Sequence, residues 1–242
     1  MQPSYSLARD PLFYITIGFF AFLTTGLPTV IGQPNFLPIV QTVALFIFLL
    51  IPLRQGLIRQ AVWVMALWLG IQFVLVTTLT WFLEVRAERA FHDGFQYRMA
   101  YVAWFYGAAD AIRPDSFTAT PLARLIELLG ILLGSLVSVG LLGIWFLVKS
   151  VNLAAYNMGV LLVAMESAVG LLLALPIWSL LRIGGYAGLV ILLSEPGITG
   201  IWNPRHYWRT RQRLIIIAGG LLLGGLLLEL FLPDLWRLLG RG

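Results

Sequence analysis

The chain contains no cysteine and only two histidines, and 11% of its 242 residues are charged. The lack of cysteine excludes disulfides, thiolate nucleophiles, iron–sulfur ligation and cysteine-type zinc sites. The two histidines, His92 and His206, lie far apart in segments expected to be loops, so a histidine metal cluster within one chain is not expected. Soluble domains carry roughly 25% charged residues. This chain therefore has too few charges to cover a water-facing surface of its size.

Apolar residues are abundant instead. They make up 60% of the chain, and the mean hydropathy is +0.89. The apolar runs are long and continuous, as membrane-spanning helices require, whereas strands of membrane barrels alternate apolar and polar residues over about 10 positions. The sequence therefore predicts an all-α fold, a polytopic transmembrane helix bundle.

Turn residues divide this single integral membrane domain, 1–242, into six or seven spans. Ile31-Gly32-Gln33-Pro34-Asn35 separates the first two, and Lys149 with Asn152 is expected to end the fourth. Within the third span, Gln72 is expected to form an interhelical hydrogen bond. The expected spans are 12–30, 36–53, 61–83, 128–148, 153–173, 175–194 and 214–232.

Between spans 3 and 4 lies a polar, aromatic-rich connection, 84–121. Residues 84–91 are expected to continue the third helix as far as His92-Asp93-Gly94, and 95–112 to form a helix lying at the membrane surface. At the start of the next helix, Arg124 and Glu127 have the spacing of an ion pair along one helix face. The apolar face expected for the surface helix comprises Met99, Val102, Phe105, Tyr106 and Ala109.

Residues 151–193 contain only two charges, Glu166 and Arg182. The favoured interpretation places a turn at 174–176, which brings both charges to the same depth on adjacent helices. The other places the turn at Arg182-Ile183-Gly184-Gly185 and leaves Glu166 as the sole deep charge. A lone charge at the membrane centre costs at least about 2.5 kcal/mol. The pair is therefore predicted to be a buried ion pair or a functional intramembrane site for a proton, an ion or an anionic substrate.

A basic and aromatic segment precedes the last span and is expected to be a loop. It is predicted to bind anionic lipid headgroups or a protein partner and to face the cytoplasm. The net charge of +5 is attributed to such topology, and no nucleic acid partner is expected. The residues that carry this prediction are Arg205, Trp208, Arg209, Arg211 and Arg213.

Small residues recur four positions apart in three predicted spans, a spacing that allows close helix packing. The pair in the last span is also the best candidate for contact with other membrane subunits or with a second copy of the chain. The three pairs are Gly130 with Gly134, Gly184 with Gly188, and Gly220 with Gly224.

Motifs for catalysis are lacking. His92-Asp93 with Glu84, Glu88 and Tyr97 is the only acid–base-capable cluster near a predicted membrane surface, and neither HExxH nor G-x-S-x-G nor a Walker motif occurs. No catalytic or metal-binding residue is assigned, and an enzyme is not favoured. The cofactor is unknown, since aromatic-rich helices could bind pigment, quinone or lipid without a motif.

The C-terminal half resembles the stage II sporulation M type of membrane protein. The resemblance rests on Asn157-x-Gly159, Pro176, Gly185-x-x-Gly188-Leu189 and Glu229. It covers under half of the chain, and no functional residue is carried over from it.

These features favour a non-catalytic subunit, scaffold or assembly component of a membrane complex. One alternative is a transporter or permease component that uses Glu166 and Arg182. Another is a membrane-embedded enzyme acting on a lipid-linked substrate. The N-terminus lacks the pattern of a removable signal, which favours the cytoplasmic (inner) membrane of a bacterium or archaeon.

Overall fold

The computed structural model describes residues 7–108, 111–165 and 174–239. These ranges contain nine α-helices, a short 3-10 helix at Leu7–Arg9 and no strand. The helices are α1 Pro11–Ile31, α2 Phe36–Arg54, α3 Ile58–Phe82, α4 Glu84–Arg89, α5 Gly94–Tyr106, α6 Pro121–Val137, α7 Leu141–Met165, α8 Ile177–Thr199 and α9 Pro204–Leu239.

Within the described ranges, six helical segments are long and apolar enough to cross a membrane: α1, α2, α3, α7, α8 and, within α9, Tyr207–Pro233. The prediction of an all-α membrane helix bundle is confirmed, and the protein is an integral membrane protein. The first three helices follow the predicted spans closely. Asp10 caps α1, with its carboxylate accepting from the Leu12 amide at 2.9 Å, and Gly32 ends it at φ 73°.

The fourth predicted span, 128–148, is wrong as a single helix. The chain turns at 138–140 and α7 begins at Leu141, so Lys149 and Asn152 lie inside α7 rather than at a helix end. Gly140 has φ 103°. The Ser138 hydroxyl donates to the Gly134 carbonyl at 2.6 Å and accepts from the Leu142 amide at 2.7 Å. One serine thus links the end of α6 to the start of α7, and hydropathy does not reveal a turn made of small residues.

For residues 151–193, the sequence predicts a turn at 174–176 or, as the alternative, at 182–185. Leu175 and Pro176 are non-helical and α8 begins at Ile177, as the favoured interpretation requires. The alternative turn at 182–185 is wrong, because these residues are helical within α8. The helix runs on to Thr199 and ends at Gly200, with φ 72°.

The basic segment before the last span is not a loop, as the sequence had suggested. Residues from Pro204 onward are helical and form the first turns of α9, which is 36 residues long. The Arg211 guanidinium binds the Glu195 carboxylate on α8 with distances of 3.0 and 2.6 Å. This ion pair anchors the start of α9, so the helix extends beyond its apolar part.

The connection between α3 and α6 is less regular than predicted. Leu83 breaks the helix, and α4 is a separate short helix. After the expected break at 92–94, α5 ends at Tyr106 rather than continuing to 112. Its buried face contains Tyr101, Trp104 and Phe105, whereas the predicted face members Met99 and Tyr106 are exposed. Ala109, which the sequence also places on this face, lies outside the described residues.

The helices alternate in direction, which gives the bundle two ends. The connection end holds the α1–α2 turn together with α4, α5 and the start of α6, which meet around one cavity. The arginine end holds the 138–140 turn and the α8–α9 turn, since a Cβ on Gly140 would overlap the Ser194 hydroxyl. The charged core and the crevice described next lie towards the connection end.

Candidate functional site: a charged core beside a crevice

Six charged residues towards the connection end form one continuous network, called here the charged core. Three are arginines and three are carboxylates, so their formal charges cancel. Their side chains are between 3% and 11% exposed. Buried charges are tolerated only when opposite charges and hydrogen bonds replace water, so each member depends on the others. The six are Arg113, Asp115, Arg124, Glu127, Arg182 and Glu229.

Glu229 on α9 binds two arginines at once. Its Oε1 accepts from Nη2 of Arg113 at 2.8 Å, and its Oε2 accepts from Nη1 of Arg182 on α8. The Arg113 guanidinium also lies over two aromatic rings, 5.2 Å from the centroid of Trp178 and 5.8 Å from that of Trp104. The carboxylate therefore joins the last two helices to the connection.

Asp115 extends the network away from Glu229. Its Oδ1 lies 2.8 Å from Nε of Arg113, and its Oδ2 accepts from Nδ2 of Asn157 on α7 at 3.2 Å. Arg124 on α6 approaches the same residue, since its Nε donates to the Asp115 carbonyl at 3.1 Å. Asp115 thus ties the connection to both α6 and α7.

The far end of the charged core lies between α6 and α7. Nη1 of Arg124 lies 2.6 Å from Oε2 of Glu127, three positions along the same helix, which confirms the predicted pair. The other Glu127 oxygen accepts from the Ser150 hydroxyl on α7. Both carboxylate oxygens of Glu127 are therefore occupied.

Two tyrosines of α5 lie close to Asp115. Burial raises the pKa of Tyr97 and of Tyr101, and the negative charge of Asp115 raises both further. Both phenols therefore stay protonated, and neither is suited to act as a base at neutral pH.

A separate cluster of uncharged polar groups links α1, α2, α3 and α7. Nδ2 of Asn152 donates to Gln41 at 2.7 Å, and Nε2 of Gln41 donates to the Thr25 hydroxyl at 2.9 Å. Nε2 of Gln72 donates to Asn152 at 2.8 Å and to the Val148 carbonyl at 3.0 Å. The interhelical role predicted for Gln72 is confirmed.

A cavity of about 500 Å³, called here the crevice, opens beside the charged core. It lies between α2 and α6, which both pack on α7 but make little contact with each other. Leu37 and Pro38 form the α2 wall, and Ala123 and Ile126 the α6 wall. The floor is one face of α7, which spans about 16 Å along the helix axis. The floor residues are Trp145, Phe146, Lys149, Ser150, Asn152, Leu153 and Tyr156.

The charged core separates the crevice from a second, smaller cavity. Asp115, Arg124 and Glu127 line the crevice, whereas Arg113 and Glu229 line the second cavity of about 290 Å³. The network is therefore a polar partition between two cavities. Every carboxylate in it is engaged by an arginine.

No family model, curated protein or solved structure matches this chain at a significant level. The resemblance of the C-terminal half to the stage II sporulation M type therefore stays a prediction.

Of the predicted intramembrane pair, only one member can be placed. Glu166 lies outside the described residues. Arg182 is buried on α8 and binds Glu229 on the last helix. The structure thus gives Arg182 a partner that the two-helix interpretation of 151–193 could not include, since Glu229 is 47 positions further along the chain.

The residues predicted to dock lipid or a partner lie at the arginine end. Arg211 is engaged by Glu195, while Arg205, Arg209 and Arg213 are exposed. The Trp208 side chain is 57% exposed. These positions stay candidates for contact with an anionic surface.

The glycines predicted to pack helices fall into two groups. A Cβ on Gly130 would overlap the Phe146 ring, and one on Gly134 would lie 2.9 Å from Leu142. On α8, a Cβ on Gly188 would lie 2.6 Å from Ala218 of α9, and one on Gly184 would lie 3.2 Å from Leu221. By contrast, no atom of another described element lies within 4 Å of the position of a Cβ on Gly220 or Gly224.

The acid–base cluster suggested by the sequence does not converge on one point. His92 and Asp93 are 91% and 70% exposed. Arg98 instead binds both neighbouring carboxylates, Glu84 and Glu88. Within the described ranges, no group of three or more potential metal ligands comes together.

Sequence reasoning missed Lys149 as a crevice residue and Asp115 as the junction of the network. A charge in an apolar run usually marks an interface, so the sequence predicts Lys149 at the end of a span. Asp115 follows Pro114 in a segment with strong turn chemistry. The available signal was that Lys149 and Asn152 share a helical face with Tyr156.

Proposed function

We propose that this protein binds an amphiphilic ligand in the crevice and acts as the binding component of a membrane transport or lipid-handling system. The observation that carries the proposal is a cavity open between two helices and walled on one side by a charged core. Its volume of about 500 Å³ lies within the range of roughly 300–1,000 Å³ usual for small-molecule sites.

The lining supports an amphiphile rather than a purely polar solute. Apolar side chains such as Ile126, Phe146 and Leu153 cover much of the surface, and a few polar groups stand among them. Ligand sites commonly combine apolar walls with a small number of polar groups that fix orientation. Asn35, Arg124 and Lys149 would have that role here.

The position of the crevice supports entry from the bilayer. Its α6 wall ends in Ile126, which is 49% exposed. Neighbouring outward residues of α6 are also exposed and apolar, as expected of a lipid-facing helix. A ligand dissolved in the bilayer can therefore reach the gap without crossing water. These outward residues are Leu122, Leu125, Leu129 and Leu133.

The alternative of an enzyme has less support. Arg98 neutralises Glu84 and Glu88, and burial keeps the phenol of Tyr97 protonated by raising its pKa. His92 stands exposed beside Asp93. This arrangement favours a structural role for these residues over the role of a general base that acts on a substrate.

A second candidate function is a membrane subunit of a larger complex, and α9 favours it. Gly220 and Gly224 face outward with no neighbouring atom near them, and Leu223 and Leu227 beside them are exposed. Closely spaced glycines allow another helix to approach. Purification in mild detergent followed by native mass spectrometry would test this function through the presence of a stoichiometric partner or a second copy.

We further propose that the arginine end faces the cytoplasm of a bacterial or archaeal cell and contacts anionic lipid. The exposed Arg205, Arg209 and Arg213 support this orientation, because positively charged segments are retained on the cytoplasmic side. The crevice would then open towards the outer half of the membrane.

The binding function is testable by photo-crosslinking in membrane vesicles. The probe is a neutral long-chain alcohol carrying a diazirine in its chain, and labelled peptides are mapped by mass spectrometry. We expect label on the α7 face between Trp145 and Tyr156. Ala123→Trp fills the crevice from the α6 wall and should abolish this label.

Leu133→Trp is the matched control, because Leu133 lies on the same helix, is 57% exposed and does not line the crevice. It should leave the α7 label unchanged. Melting curves of both variants verify folding. Label confined to outward faces such as that of α9, or α7 label that persists in folded Ala123→Trp, would overturn the proposal.

A further inference from the structure

Lys149, the one lysine of the chain, lies on the crevice floor with an exposed side chain. Its Nζ is 5.9 Å from the ring centroid of Trp145, one turn earlier on α7. The residue stands about 12 Å along the helix from Leu141. It is therefore well inside a helix that is long and apolar enough to span the membrane.

No carboxylate of the described ranges forms an ion pair with Lys149. The two carboxylates that share its cavity are already engaged. Asp115 binds Arg113, and Glu127 binds Arg124 and the Ser150 hydroxyl. The six charges of the charged core thus cancel among themselves, with Arg113 balancing Asp115 from outside the crevice, and the lysine charge is left over.

Charged residues within membrane spans are rare because they are costly, and they characteristically mark pathways for substrates or ions. The cation–π contact with Trp145 gives the ammonium group of Lys149 only part of the stabilisation that water would give. A negative charge inside the crevice would complete it, since a charge-assisted hydrogen bond is among the stronger polar contacts.

We infer that Lys149 binds the anionic head group, a carboxylate or phosphate, of a single-chain amphiphile whose tail lies along the apolar wall of the crevice. The inference rests on the proposed binding function and adds the class of ligand. Charge complementarity selects the anion. The apolar side chains around the lysine, Phe146 and Leu153, select a ligand with an attached hydrocarbon chain.

The geometry also gives the orientation of the bound ligand, with its head group inside the bundle and its chain towards the lipid. A head group at Lys149 has left the membrane surface and entered the bundle, while the gap between α2 and α6 lets the chain remain in contact with lipid. Such a pose suits a step in which a head group is moved through the membrane rather than merely held at its surface.

The test compares two photoreactive probes, a long-chain alkyl phosphate and the neutral long-chain alcohol, on the wild type, Lys149→Met and Lys149→Arg. We expect the wild type to prefer the phosphate by about tenfold, as a charge-assisted hydrogen bond implies. Lys149→Met should lose the preference, and Lys149→Arg should retain it. The readout is the ratio of phosphate to alcohol labelling within each variant, so a general change in crevice binding does not count as a lost preference.

Two further measurements separate the possible outcomes. Excess inorganic phosphate should not displace the alkyl phosphate, and displacement would overturn the inference in favour of a free-anion site. Thermal unfolding of Lys149→Met and Lys149→Arg verifies that both variants fold, so a lost preference in folded Lys149→Met reports the lost charge.

Equal labelling of wild type and Lys149→Met by the phosphate probe, with the alcohol still labelling the crevice, would overturn the anionic class alone. Absence of crevice labelling by both probes would instead reject the proposed binding function itself. The two failures are therefore distinguishable.

Discussion

Nη2 of Arg113 lies 2.8 Å from Oε1 of Glu229, although the two residues are 116 positions apart in the chain. The first belongs to the connection before α6 and the second to the last helix. Glu229 also binds Arg182 on α8. A single carboxylate thus fixes where the C-terminal helices sit against the connection, and it makes the stability of the bundle depend on one charge.

Glu229→Gln should destabilise the protein by about 3 kcal/mol or more, because removing one partner of a buried ion pair leaves uncompensated charge. Here two guanidinium groups lose their shared carboxylate. Thermal unfolding in mild detergent measures the effect. Asp93→Asn is the control, since Asp93 is 70% exposed, and it should change stability by no more than about 0.5 kcal/mol. Equal melting temperatures for the two variants would contradict the assigned role of Glu229.

Substitution of Gly140, in the turn between α6 and α7, should destabilise the protein. Gly140→Ala places a methyl group at φ 103° and against the Ser194 hydroxyl, so we expect a loss of roughly 3 kcal/mol. Gly56→Ala is the matched control, because Gly56 also has a positive φ but no atom within 4 Å of its Cβ position. It should lose roughly 1 kcal/mol. The double variant Gly140→Ala/Ser194→Ala should recover part of the loss, and no recovery would exclude contact with the Ser194 hydroxyl as a cause.

The absence of cysteine makes the topology directly measurable with single introduced cysteines. Thr210→Cys and Val137→Cys should react with an impermeant maleimide from the same side of oriented vesicles, because both lie at the arginine end. Asp93→Cys should react from the other side. If 128–148 were one continuous span, position 137 would lie near its middle and would not react.

The helices that the sequence predicts well are those bounded by local chemistry. Gly32, Pro34 and Asn35 mark the turn between α1 and α2, and the break before Ile177 follows from Pro176. Such signals are local, because they depend on the φ values and hydrogen bonds of adjacent residues. The pairing of Arg124 with Glu127 was predictable for the same reason.

The turn at 138–140 was not predictable, because Ser138, Val139 and Gly140 are as compatible with an apolar helix as with a turn. What selects the turn is tertiary contact: Gly140 fits against Ser194 and Gly197 against Val139. The partner of Arg182 was hidden for a related reason. Periodicity identifies which face of a helix is buried, but it does not identify which distant residue lies opposite.

The length of α6 has a consequence for the surrounding bilayer. The helix has 17 residues and is about 25 Å long, against a hydrocarbon thickness of about 30 Å. Arg124 and Glu127 face the bundle interior, and the outward face of α6 is apolar from Leu122 to Val137, about 23 Å along the axis. We expect the bilayer to thin beside α6, because thinning is one way in which a membrane accommodates a short apolar segment. Under the proposed binding function, this thinning would shorten the distance that a polar head group travels along the crevice.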